Sequence, residues 1–281
     1  MVLPVPEGGS DQRYTRPAQS PVSVTQRSKP SASGPPVLVL DQVSLRIPVF
    51  TTETRSLKKA LLRSVTGGQL RQSRGGAQIT ALEQVSCTVN RGERVALIGH
   101  NGAGKSTFLK LISGIYTHSS GHFERRVRVF PMIRKSFITS SELSGLQAVK
   151  AHYLMMNGNL RGFEDFRDGV VQFSGLGDYV HLPIKTYSDG MAARLLFSML
   201  TASEHECLAM DEGFGAGDSS FYELAQERMK AFIASTGTLF LASHSDTLLQ
   251  QFCERGLVFN QGRIIFDGPL DQALAAYHDH P

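Results

Sequence analysis

The glycine-rich sequence Gly99-His-Asn-Gly-Ala-Gly-Lys-Ser-Thr107 is the feature that most constrains the fold of this chain. It follows an apolar run at residues 95–98 and precedes a helical pattern at residues 108–112. Glycines between a strand and a helix let successive backbone N–H groups converge on a phosphate, where side chains would block them. The positive end of the helix dipole adds to this attraction. The pattern therefore predicts an α/β domain that binds a nucleoside triphosphate.

Individual residues of this loop have distinct predicted roles. Lys105 is predicted to reach the β- and γ-phosphates and to assist catalysis there, and the Ser106 hydroxyl to coordinate Mg²⁺. Phe50 is a candidate for stacking on the nucleotide base, although a core aromatic residue at the end of a strand is an equally plain alternative. The predicted nucleotide-binding residues are Gly99, Asn101, Gly102, Ala103, Gly104, Lys105, Ser106, Thr107 and Phe50.

Composition excludes several other classes of protein. The chain has 281 residues, 41% of them hydrophobic, which is enough for one large α/β domain or two small ones. Its net charge of +4 comes from scattered basic residues, so no nucleic-acid groove is expected. The three cysteines lie far apart, which favours reduced thiols in a core. We expect neither a membrane-spanning helix nor a secretory signal peptide.

The order of apolar and polar segments predicts how the chain is organised. Residues 1–36 hold seven of the twelve prolines and are predicted to form a disordered tail. Residues 67–76 are predicted to be a flexible loop between glycines. Further along, helices are expected at residues 146–156 and 163–173. Strands are expected at residues 37–40, 43–47, 79–89, 95–98, 207–210, 238–242, 256–260 and 263–266.

Three residues downstream of the loop are candidates for catalysis. The apolar segment at residues 207–210 ends in Asp211 and Glu212, so Asp211 can hold Mg²⁺ directly or through water. Glu212 can accept a proton from the attacking water. His244 follows the predicted strand at residues 238–242 and could bind the γ-phosphate and orient the water. The alternatives are a solvated acidic turn and an incidental histidine.

The sequence Tyr187-Ser-Asp-Gly-Met191 precedes an apolar helical run at residues 195–200. Ser188 and Gly190 at the start of a helix would form an anion-binding end, because unpaired N–H groups and the dipole face outward there. The simpler alternative is an ordinary serine cap. Local chemistry leaves both interpretations open.

Taken in order, these motifs resemble the ATP-binding cassette (ABC) family, and more narrowly the nucleotide-binding subunits of polysaccharide exporters. The likeness covers about residues 37–281 and includes an Ala216-Gly217-Asp218 turn. It implies an α/β P-loop NTPase fold with a RecA-like core. An N-terminal antiparallel β subdomain and an α-helical subdomain at about residues 138–192 are added to that core. Residues 37–281 would form the nucleotide-binding domain.

The resemblance also implies a mechanism and partners. Two copies would form a head-to-tail homodimer that binds ATP and Mg²⁺, and Asp218 would belong to the D-loop. The chain would associate with a polytopic membrane permease, without nucleic acid, at the cytoplasmic face of the bacterial inner membrane. A lipid-linked glycan would be transported but not bound by this chain. The signature residues that contact the ATP of the partner copy would be Tyr187, Ser188, Asp189, Gly190 and Met191.

Other functions remain possible at this stage. The chain could serve an ABC transporter for another substrate, or act as a cassette ATPase in DNA repair or on ribosomes. Repair members insert long coiled coils between loop and signature, whereas this gap is about eighty residues. Ribosomal members carry two cassettes. A small-molecule kinase would need neither the signature nor His244.

Overall fold

A computed structural model of the chain describes residues 34–49, 69–73, 76–133, 140–211 and 219–279. In chain order the elements are β1 (Pro36–Val49), β2 (Gln69–Ser73), β3 (Gly76–Asn90), β4 (Arg94–Ile98), α1 (Lys105–Ile112), β5 (Ser120–Arg125), β6 (Val129–Met132), α2 (Gly145–Asn157), α3 (Phe163–Ser174), α4 (Asp189–Leu200), β7 (Cys207–Asp211), α5 (Ser219–Ser235), β8 (Thr238–Ala242), α6 (Asp246–Phe252), β9 (Arg255–Asn260), β10 (Arg263–Pro269) and α7 (Leu270–His278). Of the tail predicted at residues 1–36, residues 1–33 lie outside the described part of the chain.

Four strands form an antiparallel sheet in the order β2-β3-β1-β5. The two strands predicted at residues 37–40 and 43–47 are one strand, because β1 pairs with β3 on both sides of a bulge at Gln42. Gln42 has a φ of 50°, and its backbone N–H donates to the Ser86 hydroxyl at 2.9 Å. A side chain thus replaces the ladder hydrogen bond that the bulge removes.

The flexible loop predicted at residues 67–76 is partly wrong. Residues 69–73 form β2, which pairs with β3 from Gln69↔Thr80 to Ser73↔Gly76. The segment is polar and lacks alternating apolar residues, so its sequence carries no strand pattern. Backbone pairing with a neighbouring strand provides the order that its side chains do not predict.

The second sheet has six strands in the order β10-β9-β4-β8-β7-β6. Its strands are parallel except for β10, which runs antiparallel to β9. Strand β4 lies between β8 and β9 and is buried on both faces: Val95 and Leu97 enter one apolar core, Ala96 and Ile98 the other. Burial on both faces explains the uninterrupted apolar runs of this sheet. The predicted α/β P-loop fold is confirmed, whereas β5 and β6 were not predicted.

The helices on one side of this sheet form a separate apolar core with it. That core includes Val149 of α2, Val170 of α3 and Leu195 of α4. Helix α2 begins with a capping box, in which the Ser144 hydroxyl accepts from the Gln147 N–H and the Gln147 side chain accepts from the Ser144 N–H. Helix α2 extends one residue beyond the predicted residues 146–156 at each end, and α3 extends one residue beyond the predicted residues 163–173 at its C-terminal end.

One glycine joins the two sheets to the phosphate loop. The backbone N–H of Gly262, in the turn between β9 and β10, donates to the Ala103 carbonyl at 2.8 Å. The Gly262 carbonyl accepts from the Glu83 N–H of β3, also at 2.8 Å. Gly262 has a φ of +80°, and a Cβ there would lie 2.8 Å from the carbonyl oxygen of Ala81. Only glycine fits this turn without displacing β3.

Candidate nucleotide-binding site

The phosphate loop leaves the buried strand β4 and turns sharply into α1. Gly99 has a φ of +146°, and a Cβ at that position would lie 2.4 Å from the carbonyl oxygen of Phe259. Gly102 and Gly104 also have positive φ values. The turn is closed by the Ala103 N–H, which donates to the His100 carbonyl at 3.1 Å. The glycines of the motif are therefore required by the path of the backbone itself.

Lys105 is the first residue of α1, and its side chain is buried within the loop. The residue is 7% exposed. Its ammonium donates to the carbonyl oxygen of Gly99 and, at 3.0 Å, to that of His100. Two loop carbonyls thus satisfy part of the hydrogen-bonding demand of a cation that has little contact with water. The loop keeps the ammonium next to the site where the phosphates are predicted to bind.

Ser106 and Asp211 meet where the first turn of α1 faces the end of β7. The Ser106 hydroxyl donates to Asp211 Oδ2 at 2.6 Å, although 105 residues separate them in sequence. Both side chains are partly exposed. Two oxygen ligands held side by side suit Mg²⁺, which takes few protein ligands and completes its shell with phosphate and water. Within the described ranges no cluster of three or more histidine, cysteine or acidic residues could hold a metal without such help.

His244 follows β8 and contacts the phosphate loop from its other side. Its Nε2 lies 3.1 Å from Asn101 Oδ1, so a proton on Nε2 donates to that amide oxygen. The His244 ring is exposed. The parallel strands β4, β7 and β8 end at the same edge of the sheet, which places their three following segments together. The structure brings Lys105, Asp211 and His244 together at this edge, and their roles toward ATP stay predictions.

The signature segment begins α4, away from any contact with the phosphate loop shown in the described part of the chain. The Ser188 hydroxyl caps the helix by accepting from the Met191 N–H at 3.2 Å. Ser188 and Asp189 are exposed, and Gly190 and Met191 are partly exposed. Ser188 therefore acts as an ordinary serine cap of α4, which is the simpler of its two interpretations. Contact of this exposed helix end with the ATP of a second copy stays a prediction.

Tyr187 has a packing role beside the signature. Its hydroxyl donates to the Tyr179 carbonyl at 2.7 Å. Gly145 of α2 lies directly against it, since a Cβ on Gly145 would be 2.4 Å from the Tyr187 hydroxyl oxygen. Burial raises the pKa of the Tyr187 phenol above its usual range. These contacts fix the start of α4 relative to α2.

Three predicted site residues lie outside the described residues: Phe50, Glu212 and Asp218. Glu212 follows Asp211 directly in sequence. Thr107 is partly buried in α1, one residue beyond Ser106. Four residues near the loop were not predicted, namely His100, Asp246, Tyr277 and His278. His100 occupies a variable position of the loop motif, and the other three stand at helix ends without a recognisable pattern.

The fold and the site together define a P-loop nucleoside triphosphatase. A parallel sheet carries the phosphate loop after β4 and an aspartate at the end of β7, two strands away, and a helical region separates the two in sequence. The ABC transporter family model matches residues 82–215, which span the loop, the signature and Asp211. The chain belongs to the ABC transporter family, as an ATP-binding protein, and it is an ATPase.

Its relatives agree with the narrower resemblance. The chain is 36% identical to the O-antigen export system ATP-binding protein RfbE of Yersinia enterocolitica, over 83% of this chain and 98% of the relative. It is 31% identical to the capsule polysaccharide export ATP-binding protein CtrD of Neisseria meningitidis serogroup B, over 72% and 92% of the two chains. The predicted membership among polysaccharide-export ATP-binding proteins is confirmed.

A solved structure supports the fold. The dimeric ATP-binding cassette MJ0796, bound to ADP and Pi in a post-hydrolysis state, matches with a TM-score of 0.58 and 17% identity. The match covers 83% of this chain and 98% of that one. Within the described part of the chain, none of the helices combines the length and the apolar character needed to cross a bilayer.

Proposed function

We propose that this chain is the ATP-hydrolysing subunit of an ABC exporter that moves lipid-linked polysaccharide, such as O-antigen or capsule, across the inner membrane. The observation that carries the proposal is the meeting of the phosphate loop, Asp211 and His244 at one edge of the parallel sheet. The substrate class is supported by the similarity to O-antigen and capsule export proteins. Residues 37–281 would form the nucleotide-binding domain.

ATP binding would use the loop backbone and Lys105. The N–H groups of the loop would face the β- and γ-phosphates, since glycine leaves the backbone uncovered. The Lys105 ammonium would exchange its bonds to the carbonyls of Gly99 and His100 for bonds to phosphate oxygens. This exchange is favourable because hydrogen bonds between charged groups are stronger than those to a neutral carbonyl.

Mg²⁺ would be held by Ser106 and Asp211. Their oxygens already lie within 2.6 Å of each other, and the Ser106 proton that now bonds to Asp211 can turn away when a cation takes its place. When bound, the ion would offset the negative charge of the β- and γ-phosphates.

Hydrolysis would use Glu212 and His244. A water oxygen attacks the γ-phosphorus, the bond from that phosphorus to the bridging oxygen breaks, and ADP leaves while Glu212 takes the proton of the water. His244 would donate a hydrogen bond from Nε2 to the γ-phosphate. Its present partner, Asn101, belongs to the loop, so His244 starts within reach of the phosphates.

The proposed assembly is a homodimer bound to a permease. Two copies would face each other head to tail, so that Ser188, Asp189 and Gly190 of one contact the γ-phosphate of the other. The exposed start of α4 leaves these residues accessible. The pair would lie peripherally at the cytoplasmic face and move a separate polytopic membrane subunit, which in turn transports the lipid-linked glycan.

Reconstitution tests the proposal. The chain is purified together with the polytopic membrane protein that copurifies with it, and the pair is placed in vesicles that contain lipid-linked polysaccharide. We expect ATP-dependent transfer of the polysaccharide, and none with Lys105→Ala, which lacks the phosphate-binding cation. Transport of another class of substrate, or association with ribosomes or DNA instead of a membrane protein, would contradict the assignment.

A further inference from the structure

Helix α7 is held against the sheet at a fixed distance from the phosphate loop. Its inner face, Leu270, Ala273 and Leu274, is buried. It lies so close to β9 that a Cβ on Gly256 would be 2.4 Å from the Ala273 Cβ. A glycine in the strand is what allows this approach. The last residues of α7 are therefore positioned by the same strands that position the loop.

Two consecutive residues at the end of α7 contact the two loops of the site. The Tyr277 hydroxyl lies 3.4 Å from Nδ1 of His100 in the phosphate loop, and the two ring centroids are 5.2 Å apart. His278 Nε2 lies 2.9 Å from Asp246 Oδ2. Asp246 is two residues beyond His244 and is the first residue of α6. One helix end thus contacts both the phosphate loop and the start of the helix that follows the His244 loop.

These contacts close a ring of residues. Asn101, next to His100, contacts His244 at 3.1 Å, and this completes the circuit from the phosphate loop through α7 and back. The ring surrounds a cavity of about 330 Å³, whose wall includes Gly99, Ser243, His244, Asp246, Tyr277 and His278. Across this cavity, the contacts of the ring link the phosphate loop to the segment that follows β8. They act in addition to β4 and β8, the paired strands from which the two loops emerge.

We propose that the end of α7 is a clamp, with Tyr277 and His278 as positioning residues that hold the phosphate loop and His244 in register for ATP hydrolysis. Both residues act through others: Tyr277 through His100, whose carbonyl accepts from Lys105 at 3.0 Å, and His278 through Asp246. The inference rests on the proposed roles of Lys105 and His244. If the phosphate loop and His244 shift relative to each other, the hydrogen-bond donors to the transition state are misplaced and hydrolysis slows. ATP binding is weakened less than hydrolysis.

Steady-state kinetics of the full chain test the clamp. In His278→Ala and Tyr277→Ala we expect kcat for ATP hydrolysis to fall five- to tenfold, with KM for ATP within a factor of two of the wild type. The double variant should lose little more than the larger single effect, because both residues serve one clamp. His278→Gln, whose amide N–H can reach Asp246 as Nε2 does, should recover most of kcat.

Matched controls separate positioning from folding. His122→Ala removes an exposed histidine from β5, far from the site in the other sheet, and should leave kcat unchanged. The Tm of His278→Ala should stay within about 4 °C of the wild type, since an exposed contact such as that of His278 with Asp246 contributes at most about 1 kcal/mol. Unchanged kcat in both alanine variants, or a kcat that falls only together with Tm, would overturn the clamp.

Hydrogen exchange tests the clamp without hydrolysis. We expect the amides of residues 98–104 and 243–249 to exchange at least threefold faster in His278→Ala than in the wild type, and those of β5 to be unaffected. If the amides of both segments exchanged at the same rate in His278→Ala as in the wild type, the proposal would be overturned whatever the kinetics show. A wild-type chain that hydrolyses no ATP would contradict the proposed function instead, and the exchange rates would then decide the clamp alone.

Discussion

At the scale of single residues, the structure brings together side chains that the sequence assigned to one site. Lys105 and Ser106 were assigned from the loop motif, and Asp211 and His244 from their places after apolar strands; the four residues lie at one edge of the sheet. The reason is that residues following parallel strands must gather at the carboxyl ends of those strands. His100 escaped prediction because its contacts depend on the end of α7, whose position relative to the loop has no local pattern.

The role of Glu212 yields the sharpest test at this scale. Glu212→Gln should bind ATP normally but hydrolyse it about 10² to 10⁴ times more slowly, since the amide cannot accept the proton of the attacking water. Phosphate release and ATP affinity are measured side by side, with Lys105→Ala as the variant that should lose affinity. Wild-type hydrolysis by Glu212→Gln would remove the residue from this role.

Asp189 is an exposed carboxylate in the first turn of α4. Asp189→Ser should strengthen ATP-driven dimerisation about five- to tenfold, because a negative charge no longer faces the triphosphate of the second copy. Light scattering in the Glu212→Gln background, with ATP and Mg²⁺, measures the dimer.

The control for this experiment is Asp165→Ser, which removes an exposed acid from the first turn of α3 and should leave dimerisation as it is. Both substitutions take away a similar favourable charge from a helix start, so their small costs in stability cancel in the comparison. Weaker dimerisation of Asp189→Ser would contradict the electrostatic argument.

At the scale of elements, strongly periodic segments were predicted well and backbone-driven ones were not. The strand at Thr238–Ala242 is fully buried, and its predicted and observed bounds agree. By contrast, β2 is polar and exists through its pairing with β3, and β1 continues through a bulge at Gln42. Pairing between distant backbone segments leaves no pattern in the local sequence. For this reason β2 was not predicted as a strand, and β1 was predicted as two strands.

His205, which precedes β7, makes stability depend on pH. Its ring stacks on Phe130 of β6 with centroids 3.8 Å apart. Burial, together with the nearby charges of His152 and Arg128, lowers the pKa of His205 to about 4 from its ordinary 6.5. Between these values the unfolded chain binds more protons, so the free energy of unfolding falls as pH drops from about 6.5 towards 4.

Replacing the ring tests this prediction. Between pH 7.5 and pH 5 the free energy of unfolding should fall by about 1 to 2 kcal/mol more in the wild type than in His205→Phe, after allowance for the partial exposure of the ring. Urea unfolding followed by circular dichroism measures both, since the chain has no tryptophan to report by fluorescence. An identical pH dependence of the two proteins would show that His205 titrates normally.

At the scale of the whole molecule, the two apolar cores enclose all three cysteines. Cys87, Cys207 and Cys253 are buried and unpaired, and burial is the main cause that raises the pKa of each thiol to about 12. This agrees with the prediction of reduced thiols in the core. Since only the thiolate reacts, the folded protein should be inert to alkylation.

Alkylation therefore reports on unfolding of the whole chain. At pH 7.5 we expect iodoacetamide to label none of the three cysteines within an hour, and all three in 6 M guanidinium chloride. Mass spectrometry gives the count for each condition. Rapid labelling of Cys87 in the absence of denaturant would show that the antiparallel sheet opens independently of the rest.

Gly262 couples parts of the molecule that the sequence keeps far apart. Its peptide groups are bonded to β3 on one side and to the phosphate loop on the other. The two sheets therefore cannot slide past each other without pulling on the nucleotide pocket. Any larger residue at this position would clash with the Ala81 carbonyl and displace the turn. The first effect would be weaker ATP binding by a protein whose two apolar cores are intact.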